Sequence, residues 1–225
     1  MDINEQVKQD EREAGSACVF IKFRIRGDLR YLSHKEMMRV FERAFARAGL
    51  KIKFSQGFNP HPRMSLVLPR SVGVESEDEL LCLWLEEGQE SFNVEILKKE
   101  MPQGLDIISA EISRKKNVPE PKSVRYVIKA KSGRREGPAK DRISELLARD
   151  KIPMERRGDD SSRVKIVDVR PFLKSISEEG EDLFVDCEIS PSGTIRVDEI
   201  LDLLQLKVED LAGPVVRKSV QWKCV

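Results

Sequence analysis

Residues 18–49 read CVFIKFRIRGDLRYLSHKEMMRVFERAFARAG, a strand pattern followed directly by a helix pattern. Over residues 18–26 apolar side chains alternate with mostly basic ones, which predicts a strand that buries one face. We expect the buried face to hold Val19, Ile21, Phe23 and Ile25. The other face carries Phe20 beside three cations, Lys22, Arg24 and Arg26. The strand therefore has a predicted basic outer face.

The helix is predicted by its beginning, its periodicity and its end. Ser33 and Glu36 form a capping-box pattern, in which each side chain accepts a hydrogen bond from the other residue's backbone amide. Gly49 supplies the left-handed conformation that ends many helices. Between them, apolar residues repeat at helical spacing, and we expect three of them to pack against the strand: Val40, Phe41 and Phe45. The polar side of this helix carries a stripe of Arg39, Arg43 and Arg47.

The remaining patterns give one order of elements twice, β-α-β-β-α-β. After the opening strand and helix, the first half continues with extended segments at residues 51–54 and 64–68, a strand at 80–85, a helix at 93–99 and a strand at 105–112. The second half offers strands at residues 124–130, 163–169, 183–189 and 214–222, with helices at 139–149 and 197–204. This order predicts an α+β protein of two tandem ferredoxin-like units with antiparallel sheets.

Three segments follow from this layout. Residues 1–16 contain few apolar side chains, and we expect a flexible N-terminus there. The first unit is predicted over residues 17–117 and the second over 118–225, with a proline-containing linker at 117–122.

Positive charge is concentrated in one part of the chain. Residues 21–74 hold twelve Lys and Arg against three acids, although the net charge of the whole protein is +1. Residues 75–90 then hold seven acids and no base. A localised basic region is typical of proteins that bind RNA or another anionic partner.

The loop at residues 55–63, SQGFNPHPR, holds the most unusual chemistry of the chain. Gly57 allows a turn that a side chain would hinder, and Pro60 and Pro62 stiffen the backbone around His61. The polar and aromatic side chains of the loop can hydrogen-bond, stack and pair with phosphate: Ser55, Gln56, Phe58, Asn59, His61 and Arg63. A structural alternative stays open, in which Phe58 packs inward and His61 caps a carbonyl.

Metal, cofactor and membrane functions lack their sequence signals. The cysteines, Cys18, Cys82, Cys187 and Cys224, are scattered without a CxxC or CxxxCxxC grouping, so we expect buried thiols and no metal or cofactor. No signal peptide and no run of about 20 apolar residues is present. We therefore expect a cytoplasmic protein without a membrane partner.

Four motifs together resemble one bacterial family. They are YLSH at residues 31–34, MRVFERA at 38–44, FSQGFNPHPR at 54–63 and GVES at 73–76. This set is similar to the radical-SAM-linked proteins, a domain family of unknown function that is fused to a radical SAM protein carrying a cobalamin-binding-type domain, or encoded beside one. The motifs cover the first half, and the second half matches only in layout. Because the chain lacks a CxxxCxxC motif, the resemblance implies an accessory to a radical SAM enzyme.

Three functions are compatible with these patterns. We expect a non-catalytic substrate-recognition protein for a radical SAM partner that binds RNA, such as tRNA or rRNA. Its candidate substrate-binding residues are those of the loop together with Lys22, Arg24, Arg26, Arg39 and Arg43. The alternatives are an RNA-processing or RNA-modifying enzyme that uses His61 or His34 as a general acid or base, and a module that only docks onto proteins.

Overall fold

The computed structural model of the protein describes residues 18–86, 93–113, 118–131, 139–157, 164–180 and 182–223. Within these residues, packing separates two units. The first comprises described residues of 18–72 and 78–120, and the second those of 73–77 and 121–223. The predicted flexible N-terminus at residues 1–16 lies outside the described residues.

The first unit places two helices and four strands in the order expected from the sequence. Its elements are β1 (Cys18–Ile25), α1 (His34–Arg47), β2 (Met64–Leu66), β3 (Glu75–Trp84), α2 (Val94–Glu100) and β4 (Leu105–Ser113). The strands lie in the order β4-β1-β3-β2, with β1 antiparallel to β4 and β2 antiparallel to β3. A short 3-10 helix, Gly27–Tyr31, joins β1 to α1.

The predicted core between β1 and α1 is confirmed. Val19, Ile21, Phe23, Phe41 and Phe45 are all buried in one cluster, and the rings of Phe23 and Phe41 meet edge to face at 4.9 Å between centroids. Each fully buried side chain of this kind contributes about 1.5–3 kcal/mol to folding. Val40 differs from the prediction because it is only partly buried, at the margin of the cluster.

Helix α1 begins at the predicted capping box. The Glu36 amide donates to Ser33 Oγ at 3.3 Å, and the Ser33 amide donates to Glu36 Oε2 at 2.8 Å. These bonds satisfy two of the amides that a helix start leaves without partners. The hydroxyl of Ser33 also donates to the Glu36 carboxylate, and this bond lowers the pKa of Glu36.

The elements of the second unit are β5 (Glu120–Lys129), α3 (Ala139–Ala148), β6 (Pro153–Arg157), β7 (Val164–Asp168), β8 (Leu173–Glu179), β9 (Asp182–Glu188), α4 (Val197–Leu203) and β10 (Val216–Lys223). Its main strands lie in the order β8-β9-β5-β10, and β9 is antiparallel to both β5 and β8. Residues 75–76, which belong to this unit, pair in parallel with Val216 and Arg217 of β10, in contrast to the predicted antiparallel sheets. A separate antiparallel hairpin is formed by β6 and β7. Two short 3-10 helices, Arg170–Phe172 and Val208–Asp210, precede β8 and β10.

The sequence misplaced one strand of the second unit. The strand predicted at residues 163–169 is β7, which pairs with β6 in the hairpin, and β8 takes the expected place beside β9. The register shifts between Leu173 and Ser175, so the buried residues Leu173 and Ile176 stand three positions apart. A bulge of this kind breaks the alternation by which strands are recognised.

Two predicted boundaries also move. Strand β3 begins at Glu75, five residues before the predicted start. The sequence pattern does not show this beginning, because the first half of the strand is acidic and its apolar residues do not alternate. Strand β5 begins at Glu120, within the segment expected to be a linker. The α+β class, with mostly antiparallel strand pairs, is confirmed.

The described cysteines are free and buried, as expected: Cys18, Cys82 and Cys187. Burial raises the pKa of Cys187 to about 12. Cys224 lies outside the described residues. In the part of the chain that the structure describes, no helix combines the length and the apolar character needed to cross a membrane.

Candidate functional site

The 55–63 loop is closed at its neck by two hydrogen bonds between Ser55 and His61. The Ser55 amide donates to the His61 carbonyl at 2.8 Å, and the His61 amide donates to Ser55 Oγ at 3.0 Å. Phe54 and Pro62 form a bridge just outside this pair. The neck brings the two ends of the loop together before β2, so residues 56–60 project as a short tip.

The tip exposes the side chains that the sequence singled out. Phe58 is fully exposed, and Gln56, Asn59 and His61 are also exposed. Gly57 has a φ of +131°, a conformation that residues with a side chain rarely adopt. The alternative in which Phe58 packs inward is therefore wrong. A turn held by glycine and closed at its neck presents an aromatic ring to solvent.

Arg63 belongs to the base of the loop rather than to its tip. Its amide donates to the Lys53 carbonyl at 2.7 Å, and its carbonyl accepts from the Trp84 amide at 3.0 Å. Its guanidinium lies 5.6 Å from the centre of the Trp84 ring, within the range of a cation–π contact. The side chain of Arg63 is half-buried, in contrast to the exposed His61.

The basic outer face of β1 is accompanied by acids on both neighbouring strands. Lys22 Nζ lies 3.9 Å from Asp78 Oδ1 of β3. Arg24 stands directly opposite Asp106 of β4, and residues paired in this way project to the same face of a sheet. The positive charge that is conspicuous in the sequence of β1 is thus partly balanced in the sheet.

The arginine stripe of α1 divides into two kinds of residue. Arg39 and Arg43 are exposed. Arg47 instead holds the end of α2, because its Nε donates to Glu100 Oε2 at 2.7 Å and its Nη2 donates to the Glu100 carbonyl at 2.6 Å. We therefore assign Arg47 a structural role.

The candidate residues do not share one surface. Helix α1 packs on the apolar face of β1, so Arg39 and Arg43 lie on the helix side of the sheet. Lys22, Arg24 and Arg26 follow the alternation of β1 onto the opposite face. The structure does bring Ser55 and His61 together at the neck of the loop.

Arg70 has a structural role that the sequence did not reveal. Its Nη1 donates to the carbonyls of Arg30 and Ser71 at 2.8 and 2.9 Å, and its Nη2 lies 3.4 Å from the carbonyls of Leu29 and Leu32. The side chain thereby fixes the 3-10 helix that leads into α1. Nothing in a single sequence separates such an arginine from a surface cation.

The exposed side chains of the loop tip offer several kinds of contact to a ligand. Phe58 can stack or insert, and the amide, imidazole and hydroxyl groups around it can hydrogen-bond to a polar ligand. Across the described residues, no group of three His, Cys, Asp or Glu is arranged to hold a metal ion. His61 is positioned through its backbone, and its imidazole makes no hydrogen bond to another described residue.

Comparison with known proteins gives a family and no activity. A sequence profile described as "Uncharacterized protein conserved in bacteria (DUF2344)" matches residues 19–201. The match includes β1, the loop and most of the second unit. A comparison with curated proteins finds no match.

Proposed function

We propose that this chain, which belongs to the uncharacterized bacterial family DUF2344, is a non-catalytic substrate-recognition protein. In this proposal it binds RNA, such as tRNA or rRNA, through the tip of the 55–63 loop. The resemblance of its motifs implies an accessory to a radical SAM enzyme, and in this proposal the chain delivers the RNA to that enzyme. The fully exposed ring of Phe58 on a closed loop is the observation that carries the proposal.

The proposal includes two ferredoxin-like units. The strand order β4-β1-β3-β2 of the first unit, with α1 after β1 and α2 after β3, supports this part of the proposal. In the second unit β10-β5-β9-β8 gives the same order, once the β6–β7 hairpin is treated as an insertion between α3 and β8. RNA-recognition folds use sheets of this kind to present aromatic and basic side chains.

The exposure of Phe58 favours stacking on a base. An exposed aromatic ring does not stabilise the fold by burial. Stacking of such a ring on a base contributes about 1–3 kcal/mol to binding. The closed neck and the two prolines keep the loop in one conformation, so little entropy is lost when a ligand binds. Gln56 and Asn59 beside the ring can hydrogen-bond to base edges.

The environment of His61 supports recognition rather than catalysis. A general base is normally oriented by a third group that fixes its tautomer. The hydrogen bonds of His61 to other described residues are made by its backbone, with Ser55. We therefore assign the chemistry to the radical SAM partner. That partner would bind the iron–sulfur cluster, for which this chain lacks the CxxxCxxC motif.

Binding of bulk tRNA to the purified protein and its Phe58→Ala variant tests the proposal. We expect the variant to bind about tenfold more weakly, as the loss of one stacked base predicts. Tyr31→Ala is the matched control, because Tyr31 is an exposed aromatic outside the loop, and its affinity should not change. Equal affinity for the wild type and Phe58→Ala would remove the loop from RNA recognition.

A protein-docking function is the second candidate, and the mixed charges around β1 favour it. Lys22 beside Asp78, and Arg24 opposite Asp106, give a surface of alternating sign that suits a protein better than a polyanion. In this case the protein would not bind tRNA, but it would bind its radical SAM partner through Phe58. If the pure protein hydrolyses RNA and His61→Ala abolishes this activity, the chain is itself an RNA-processing enzyme.

A further inference from the structure

The neck of the 55–63 loop is a short antiparallel pair whose two faces differ in chemistry. The bridge between Phe54 and Pro62 is flanked on each side by a backbone hydrogen bond. In a pair of this kind the side chains of successive residues alternate between the two faces, and opposite residues share a face. Phe54 and Pro62 therefore project to one face. The other face carries the polar side chains of Lys53, Ser55, His61 and Arg63.

The apolar face of the neck continues the buried face of the sheet. Ile52 pairs with Leu85, and both side chains belong to the core that packs against α1. Phe54 lies two residues further along the chain and projects to the same face. It extends beyond the core, because its side chain is 50% exposed. The loop thus presents two aromatic rings to solvent, Phe54 at its neck and Phe58 at its tip.

The polar face of the neck offers hydrogen-bond donors. His61 is exposed there, and Lys53 and Arg63 are half-buried. Imidazole, ammonium and guanidinium groups can donate to the phosphate oxygens and the 2′-hydroxyl groups of RNA. Glu86 adds an acid to this face at the end away from the tip, where its amide donates to the Lys51 carbonyl at 3.0 Å. A strand of RNA that crosses the tip therefore meets aromatic rings on one side and donors on the other.

Aromatic rings on a projecting loop select bases that have a free face. In an RNA duplex the bases are stacked on each other, and the deep, narrow major groove cannot be read by side chains. Extruding a paired base costs about as much free energy as one stacked ring returns, and the cost is smallest for a base that is already unpaired. Stacking of an unpaired base on one ring strengthens binding by about 5- to 150-fold. The geometry of the loop therefore favours unpaired nucleotides.

We propose that the 55–63 loop binds unpaired nucleotides of RNA, with one base stacked on Phe54 and another base of the same strand stacked on Phe58. The backbone of the strand reaches His61 and Lys53 on the polar face of the neck. This inference rests on the RNA-binding function proposed above, and it names the class of RNA that the loop selects. Single-stranded loops, bulges and ends of a structured RNA are the segments that expose such bases.

Fluorescence anisotropy of the full-length protein tests this inference with two probes, a short single-stranded RNA and the same strand annealed to its complement. Both affinities are measured at the same salt concentration. A duplex has the higher density of phosphate charge, so contacts that are only electrostatic would favour the duplex. We expect the single strand to bind about tenfold more tightly than the duplex, because only its bases can stack on the two rings.

Substitutions in the loop assign this preference to the two rings. Phe58→Ala should weaken binding of the single strand about tenfold and Phe54→Ala about fivefold, and neither should change the affinity for the duplex. Phe54→Leu keeps apolar bulk at the half-exposed position, so it measures the loss of stacking even if alanine lowers the stability of the loop. Tyr31→Ala is the matched control, because Tyr31 is 57% exposed outside the loop and its ring is covered by the Arg30 guanidinium at 4.4 Å.

The outcomes distinguish this inference from the function on which it rests. A preference for the single strand that both Phe58→Ala and Phe54→Leu reduce supports the inference. Equal affinity for the two probes, reduced for both in Phe58→Ala, would leave RNA recognition by the loop intact and overturn the selection of unpaired nucleotides. Wild-type affinity in both Phe54 variants would exclude the second stacking position. If neither probe binds, or if Phe58→Ala binds both as tightly as the wild type, the proposed function fails together with the inference.

Discussion

Two residues of the same loop, His61 and Arg63, lie in different environments although the sequence treats them alike. His61 is exposed and is held only through its backbone, by Ser55. Arg63 is half-buried, with its guanidinium over the ring of Trp84. A side chain that only touches solvent can change freely, whereas a packed guanidinium contributes through its stem and its charge.

Replacement of each residue by alanine should therefore affect stability differently. His61→Ala should leave the free energy of unfolding within about 0.5 kcal/mol, as surface substitutions do. Arg63→Ala should lower it by about 0.5–2 kcal/mol, because a cation–π contact and packing are lost. Urea denaturation of both variants measures the difference. Equal and large losses would show that the imidazole of His61 also holds the loop together.

At the scale of secondary structure, helix α1 begins where its capping residues satisfy the first backbone amides. Its capping box satisfies two amides at the start of the helix, and its buried face joins the core through Met37, Phe41 and Phe45. Packing supplies most of the stability of such a helix, and the cap determines where it begins.

The capping box makes a measurable contribution to the stability of the protein. Ser33→Ala should lower the free energy of unfolding by about 1 kcal/mol, since one amide of the first turn loses its acceptor. Lys35→Ala is the control, because Lys35 is an exposed residue of the same turn and does not contribute to the cap. Chemical denaturation that finds both variants as stable as the wild type would show that water replaces the Ser33 hydroxyl without cost.

Elements with regular patterns could be predicted from the sequence, and irregular ones could not. Strand β1 and helix α1 were predicted because their apolar residues follow one period from end to end. Strand β8 was missed because its bulge places the buried Leu173 and Ile176 three residues apart. The alternation at residues 163–169 predicts a strand but does not indicate its partner, because a hairpin strand and a sheet strand alternate in the same way.

The residues of the candidate site could be predicted from the sequence, but their exposure and packing could not. Glycine and proline spacing marked the 55–63 loop, and its polar residues were visible in the sequence. The exposure of Phe58 and the packing of Arg63 on Trp84 depend on residues distant in the chain.

At the scale of the whole molecule, the fold brings basic and acidic side chains together that are far apart in the sequence. The basic surplus of residues 21–74 and the acids of residues 75–90 are consecutive blocks. Strand pairing then places Lys22 near Asp78, and Arg24 opposite Asp106. A count of charges along the sequence therefore overstates the positive potential on the outer face of β1.

The salt dependence of RNA binding measures how much of that potential remains. Each phosphate contact with single-stranded nucleic acid contributes about −0.7 to the slope of log affinity against log salt concentration. If the outer face of β1 contacts RNA, reversing the charges of Lys22, Arg24 and Arg26 to Glu should weaken binding and reduce the slope by about 2. The neighbouring acids give a second test, since Asp78→Asn with Asp106→Asn should strengthen binding and steepen the slope.

The matched control reverses three cations of α1, Lys35, Arg39 and Arg43, which lie on the helix side of the sheet. Both triple variants change the net charge of the protein by the same amount, so a long-range effect of charge would alter both slopes equally. A local contact at β1 would alter only the first. We expect the slope to fall for the strand variant and to stay unchanged for the helix variant. The reverse result would place RNA on the helix side, and equal slopes in all variants would leave the outer face of β1 free to dock onto a protein.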